Sequence, residues 1–263
     1  MARNLPDFIN GWLEYTEPLP TPLIFRIWSA IGAMSCALGR RVWIKTNSRM
    51  PLCFPNLFLM LVAPPGIGKD VSINKVADLI ITANAISKNG IVARLGGESI
   101  SPKGLVDKLA DNASKQTFTY RRGHEQVTAE FHSLTFCIGE LGTAIPEYDP
   151  RLIPLLNDLY NNKPAYEDAI RGIEVRVPAP HLTLILGNQP NTLAEVFPER
   201  TFRMGFTSRI IFVYAHHPVI KDLYVDEEIE LSWDQSLEQK LAEDFCDMAS
   251  MAGPFKVTPE TKK

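Results

Sequence analysis

The chain carries no surplus of positive charge. Its 27 lysines and arginines are outnumbered by 30 aspartates and glutamates, which leaves a formal charge of −3. A globally basic nucleic-acid-binding surface is therefore excluded, and any such contact has to be local. Cysteine is scarce: Cys36, Cys53, Cys137 and Cys246 are scattered and form no C-x-x-C pair. That excludes a disulfide framework and a cysteine zinc site. Cys53 and Cys137, in or beside apolar runs, read as core residues in a reducing cytoplasm. No apolar run approaches the roughly 18 residues that span a bilayer, so no membrane partner is expected. Met1-Ala2-Arg3-Asn4 lacks the apolar stretch of a signal peptide, and a cytoplasmic location is expected. Internal repeats and low-complexity tracts are also lacking.

What is present suits a globular α/β protein. The 263 residues are 45% hydrophobic and 22% charged, enough for one large domain with appendages. The organising stretch is Leu57-Phe58-Leu59-Met60-Leu61-Val62-Ala63-Pro64-Pro65-Gly66-Ile67-Gly68-Lys69-Asp70. A continuous apolar run predicts a strand buried on both faces. A Pro/Gly turn and a lysine follow, then helical spacing through Val71, Ile73, Val76, Ala77, Ile80 and Ile81. Strand, glycine loop, lysine and helix are the parts of a phosphate-binding loop. The segment Pro65, Gly66, Ile67, Gly68, Lys69, Asp70 and Val71 is predicted to wrap the phosphates of ATP, with Lys69 on the β/γ oxygens. Two positions depart from G-x-x-x-x-G-K-[S/T]. Ala63 replaces the first glycine, which is harmless if that position does not need φ > 0. Asp70 replaces the Ser or Thr that ligates Mg²⁺.

Further elements follow in order. Residues 1–50 read as a helical region, a cap beside a core at 51–220. An acidic linker and a helix from about Gln235 to Met251 occupy 221–263. Thr258-Pro259-Glu260 resembles the start of a further helix, as in a truncated piece. Ile91–Leu95 is predicted as a second strand, Ser101-Pro102 as a helix start, and 111–130 as a polar excursion with the basic cluster Tyr120-Arg121-Arg122-Gly123-His124. Ser133 to Ile138 is a strand ending in Gly139-Glu140. It resembles a Walker B element, in which the usual Asp-Glu holds Mg²⁺ and polarises water. Here Gly139 stands at the Asp position and Glu140 is the candidate base. Both departures fall on the magnesium shell, and the carboxylate missing at 139 reappears at Asp70, the candidate metal residue. The alternative is a degenerate site with poor hydrolysis.

Ile170 to Val177 alternates like a hairpin. Lys163, Arg171 and Arg176 near it are candidate phosphate contacts or ordinary surface charges. His181 to Leu186 is a third buried strand. Asn188 at its exit, with Gln189 as second choice, resembles the sensor 1 residue of AAA+ ATPases, although alone it reads as a turn residue. Ser208-Arg209 before the strand Ile210–Val213 resembles an arginine-finger segment, with Arg203 as the alternate; such a residue projects onto a neighbouring subunit's γ-phosphate.

From about Asn56 to Tyr214 the chain resembles an uncharacterised family of P-loop ATPases of phages and mobile elements, linked to primase-helicase proteins. The carrying segments are Pro55 to Lys69, Ser101 to Leu105, Gly139-Glu140, Leu184 to Pro190 and Gly205 to Phe212. The resemblance implies an α/β P-loop NTPase fold (ASCE, RecA/AAA+-like) with a parallel sheet and helices on both faces. It also implies ATP and Mg²⁺ as ligands, a homo-oligomer such as a hexameric ring, single-stranded DNA, a replication partner and a helicase-like motor in the bacterial host cytoplasm. A nucleotide-binding assembly module with little turnover stays open beside it.

Overall fold

The computed structural model describes residues 4–45, 52–88, 90–144, 151–170, 173–196, 205–221 and 235–258. Asp7 caps helix α1 (Phe8–Tyr15) by accepting from the Asn10 amide at 3.0 Å. Helix α2 (Leu23–Leu38) follows Pro22 and stops at Gly39, whose φ is +53°. Short strands β1 (Val42–Lys45) and β2 (Leu52–Cys53) lead to β3 (Phe58–Val62), buried at every residue. Helix α3 (Lys69–Ile86) starts after a left-handed Gly68. Helix α4 (Pro102–Ala110) has the expected Ser101 cap, accepting from the Gly104 amide at 3.2 Å. Strands β4 (Lys115–Arg122) and β5 (Glu125–Ile138) form a hairpin around Gly123. Helices α5 (Leu141–Ala144) and α6 (Leu152–Tyr160), hairpin β6 (Ala165–Ile170) and β7 (Ile173–Pro178), β8 (Pro180–Asn188), α7 (Pro190–Val196), β9 (Ile210–Tyr214), α8 (Gln235–Ser250) and β10 (Gly253–Phe255) complete the described chain.

The central sheet has the order β4-β5-β8-β3-β9. β3, β5, β8 and β9 run parallel and only β4 is antiparallel. Side chains alternate between two cores. Leu59, Leu61, Ile185 and Val213 face α1, α2, α3 and α8. Phe58, Met60, Val62, Leu184, Leu186 and Ile210 face α4, α5 and α6. Residues from 1–50, 51–220 and 221–263 share the first core. The fold is thus a mostly parallel α/β sheet with helices on both faces. A second small sheet, β10-β1-β2, lies beside the hairpin, where Trp43 meets Tyr120 edge-on at 4.9 Å.

The connections fix where a ligand would bind. From β3 the chain leaves through α3, on the first face, toward β5. From β8 it leaves in the opposite direction toward β9, through α7, whose Leu193 packs on the second face. Adjacent strands whose connections part to opposite faces leave a crevice at their carboxyl ends. Here those ends are Val62 and Asn188, which are register partners.

Two expectations are corrected. Ile91–Leu95 is not a strand: only Leu95 bridges Thr135, with Thr135 N–H donating to the Arg94 carbonyl and Gly96 N–H to the Thr135 carbonyl, both at 2.8 Å. The backbone of Val92 and Ala93 is held by the Asn84 side chain. Its Oδ1 accepts from both amides at 2.8 and 3.3 Å, and its Nδ2 donates to the Ala93 carbonyl at 2.8 Å. Residues 115–122 and 125–130, within the expected polar excursion, are strands. β4 occupies the outer edge of β5 up to His132, which leaves only the far end of that edge for residues 94–96.

Candidate nucleotide site

The loop after β3 starts at Ala63, whose amide donates to the Asn188 carbonyl at 3.2 Å. Among the described residues only Asn162 and Ala179 are non-glycines with positive φ, so Ala63 meets the condition set for it. Gly66 and Gly68 have φ of +80° and +82°, conformations that favour glycine. A Cβ at Gly66 would meet nothing within 4 Å, whereas one at Gly68 would clash with the Pro20 carbonyl. The turn between α1 and α2 therefore lies directly against the loop, and the Thr21 and Ser72 hydroxyls share a 2.7 Å hydrogen bond behind it. Ile67 is buried in the first core, while Pro65 and Gly66 are exposed.

Lys69 opens α3 and is 5% exposed. Its Nζ lies 3.6 Å from Glu140 Oε2 and 4.0 Å from Asp70 Oδ1. Glu140 arrives from the end of β5, two residues past Ile138, and its Oε2 accepts from Gln189 Nε2 at 3.3 Å. Asn188 is fully buried. Its Oδ1 accepts from Thr192 Oγ1 at 2.8 Å, and its Nδ2 has no hydrogen-bond partner among the described residues. Partial burial holds the Asp70 carboxyl above the usual range, opposed by the Lys69 charge and reinforced by that of Glu140. A Cβ built on Gly139 would lie 2.7 Å from Asp70 Oδ1.

Lys69, Asp70, Glu140, Asn188 and Gln189 are thus gathered at one edge of the sheet, beside Val71 in the first turn of α3. Arg209 is not with them. β3 and β9 are parallel, and Ile210 pairs with Phe58 while Tyr214 pairs with Val62. Arg209 therefore lies at the amino end of the sheet, about 13 Å of strand away from the loop edge. There it donates to the Gly205 carbonyl at 2.6 Å and to Asn161 Oδ1 at 3.4 Å, beside the Tyr160 ring. Lys163 pairs with Asp158 at 2.7 Å and Arg176 with Glu167 at 3.3 Å. Arg171 and Arg203 lie outside the described residues.

Sequence reasoning missed the Pro20–Thr21 contact and Thr192. The first gives no local signal. The second is a threonine four residues after Asn188, in the first turn of α7, which folds back onto the end of β8.

Hard oxygen donors suit Mg²⁺, which takes one or two carboxylates and completes its shell with water and phosphate oxygens. Asp70 and Glu140 fit that set. Among the described residues no group of three or more His, Cys, Asp or Glu side chains forms a self-sufficient metal cage. No described helix is long and apolar enough to cross a membrane. No protein-family model matches the chain, and no curated protein matches it.

Proposed function

We propose that the chain is a P-loop ATPase, a helicase-like motor that works on single-stranded DNA as a homo-oligomer such as a six-membered ring. The replication of a phage or mobile element is the setting its resemblance implies. The observation that carries this proposal is the buried Lys69 ammonium. It follows two left-handed glycines and lies 3.6 Å from Glu140, at the carboxyl edge where the sheet's connections part. Backbone amides from Gly66 to Val71 cradle the phosphates. Lys69 moves its charge onto the β/γ oxygens, which releases Glu140 to orient and deprotonate water. Asp70 would hold Mg²⁺, whose role when bound is to neutralise charge on the phosphates. Gln189 already fixes Glu140, and the Asn188 amide has a donor to spare for water or phosphate. Arg209 serves the adjacent subunit, and Lys163, Arg171 and Arg176 are the strand contacts.

A second proposal, an assembly module that holds ATP, recruits a replication partner and hydrolyses poorly, is favoured by one observation. Glu140 is engaged by both Lys69 and Gln189. Steady-state ATP hydrolysis across protein concentrations, with and without single-stranded DNA, separates the two. Turnover that rises with concentration and again with DNA is the motor's signature. Tight ATP binding with flat, negligible turnover is the module's.

A further inference from the structure

We infer that residues 70 and 139 form one exchangeable position. The carboxylate that a Walker B strand would carry before its glutamate hangs instead from the first turn of α3, and there it makes the site accept a nucleoside triphosphate only as its divalent-metal complex. This rests on the nucleotide-binding proposal above. Gly139 is not one of the glycines with positive φ, so its value is space and not conformation. That space is taken by Asp70: an added Cβ would come within 2.7 Å of Oδ1 and 3.0 Å of Cγ. A side chain at 139 and a carboxylate at 70 therefore compete for one volume.

The charges explain the dependence on metal. Two carboxylates, Asp70 and Glu140, share one ammonium, Lys69, at 4.0 and 3.6 Å. A bare triphosphate adds several negative charges to a site already one short of neutral, and like charges brought together at close range are costly. A divalent cation reverses that balance and finds a hard oxygen donor in Asp70. The buried Nδ2 of Asn188, without a partner among the described residues, sits at the strand end beside Val62 and independently marks this edge as built for a polar ligand.

The test is equilibrium binding of N-methylanthraniloyl-ATP to the whole chain, in Mg²⁺ and in EDTA. Three proteins are compared: wild type, Asp70→Ala and Asp70→Ala/Gly139→Asp. Wild type is expected to bind about 10²-fold more weakly without metal. The Asp70 side chain is 57% exposed, so its replacement leaves the core intact. Asp70→Ala, which offers no ligating atom, should shrink the gap to within about tenfold, chiefly because metal-free nucleotide then binds better. Returning the carboxylate from the β5 side in the double variant should reopen the gap. Asp70→Ala alone decides the matter if the double variant does not fold. A wild-type affinity equal in Mg²⁺ and EDTA, or an Asp70→Ala protein that keeps the full gap, overturns the inference and leaves the nucleotide site standing. Absence of binding by wild type in both conditions overturns the inference and the nucleotide-binding proposal together.

Discussion

Lys69 illustrates how much the site depends on single groups. A buried ammonium is stable only when paired, and its partners here are the carboxylates that ATP would replace. Lys69→Ala is expected to abolish ATP binding. Glu140→Gln should retain binding, since the amide still fills the space beside Gln189, and lose turnover by about 10²–10⁴-fold as expected for removal of a general base. Isothermal titration with ATP and a phosphate-release assay separate these effects, and normal hydrolysis by Glu140→Gln would remove Glu140 from the mechanism. A different buried group governs the response to acid. His181 in β8 has both ring nitrogens buried without hydrogen-bond partners among the described residues, and burial, then the charges of Arg40 and Arg41, push its pKa from 6.5 to about 3. The unfolded chain takes up this proton below 6.5, whereas the folded chain does not until about 3. Its contribution is therefore complete above 6.5 and declines as pH falls, by about 1.4 kcal/mol per pH unit across that window. His181→Met should flatten the fall in urea-unfolding free energy between about pH 6 and pH 5. An unchanged slope would assign the acid sensitivity elsewhere.

Among the elements, Asn84 does the work of a missing strand partner. One side chain on α3 makes three hydrogen bonds to the backbone of Val92 and Ala93, whose side chains are buried in the first core. Asn84→Ala strands those buried groups and should cost about 1–3 kcal/mol. Faster amide exchange at Val92 and Ala93, ahead of β3, is the expected local sign, and unchanged exchange would show that another group holds the segment. Such a contact is invisible in sequence, because an asparagine in a helix looks like any solvated residue. The apolar content of 91–95 suggested a strand for the same reason: burial was legible and its hydrogen-bond partner was not. The β4–β5 hairpin was missed on the opposite ground. Much of β4 is exposed or half-buried, and its contact with the second small sheet, Tyr120 against Trp43, joins positions far apart in the chain. The strands β3, β8 and β9, the Ser101 cap and the loop with Lys69 were legible, because continuous apolar runs and turn chemistry are local signals. Asp70 and Gly139 were each legible as departures from a pattern. That one fills the space left by the other emerges only when α3 and β5 are brought together.

At the scale of the whole molecule, the sheet separates two sets of charges that the motor proposal needs at one phosphate. Lys69 and Glu140 stand at the carboxyl edge, and Arg209 precedes β9 at the amino edge, held by the Gly205 carbonyl and Asn161. No side-chain rotation spans about 13 Å of strand, so Arg209 can reach a γ-phosphate only in another copy of the chain. To do so it must leave the Gly205 carbonyl, and the exchange of a neutral acceptor for a developing phosphate charge favours that release in the transition state more than in the ground state. Arg209→Ala should therefore bind ATP as wild type does and lose hydrolysis by about 10³-fold or more, the scale of arginine-finger effects. Its effect should also depend on its neighbours. Mixed with Lys69→Ala, which has an intact Arg209 and no working loop, an Arg209→Ala loop would gain a finger at shared interfaces and recover part of its turnover. Recovery that peaks at intermediate mixing ratios supports a site completed between copies. An Arg209→Ala protein that hydrolyses ATP at the wild-type rate alone would instead leave the guanidinium with its observed task, tying the start of β9 to the end of α6.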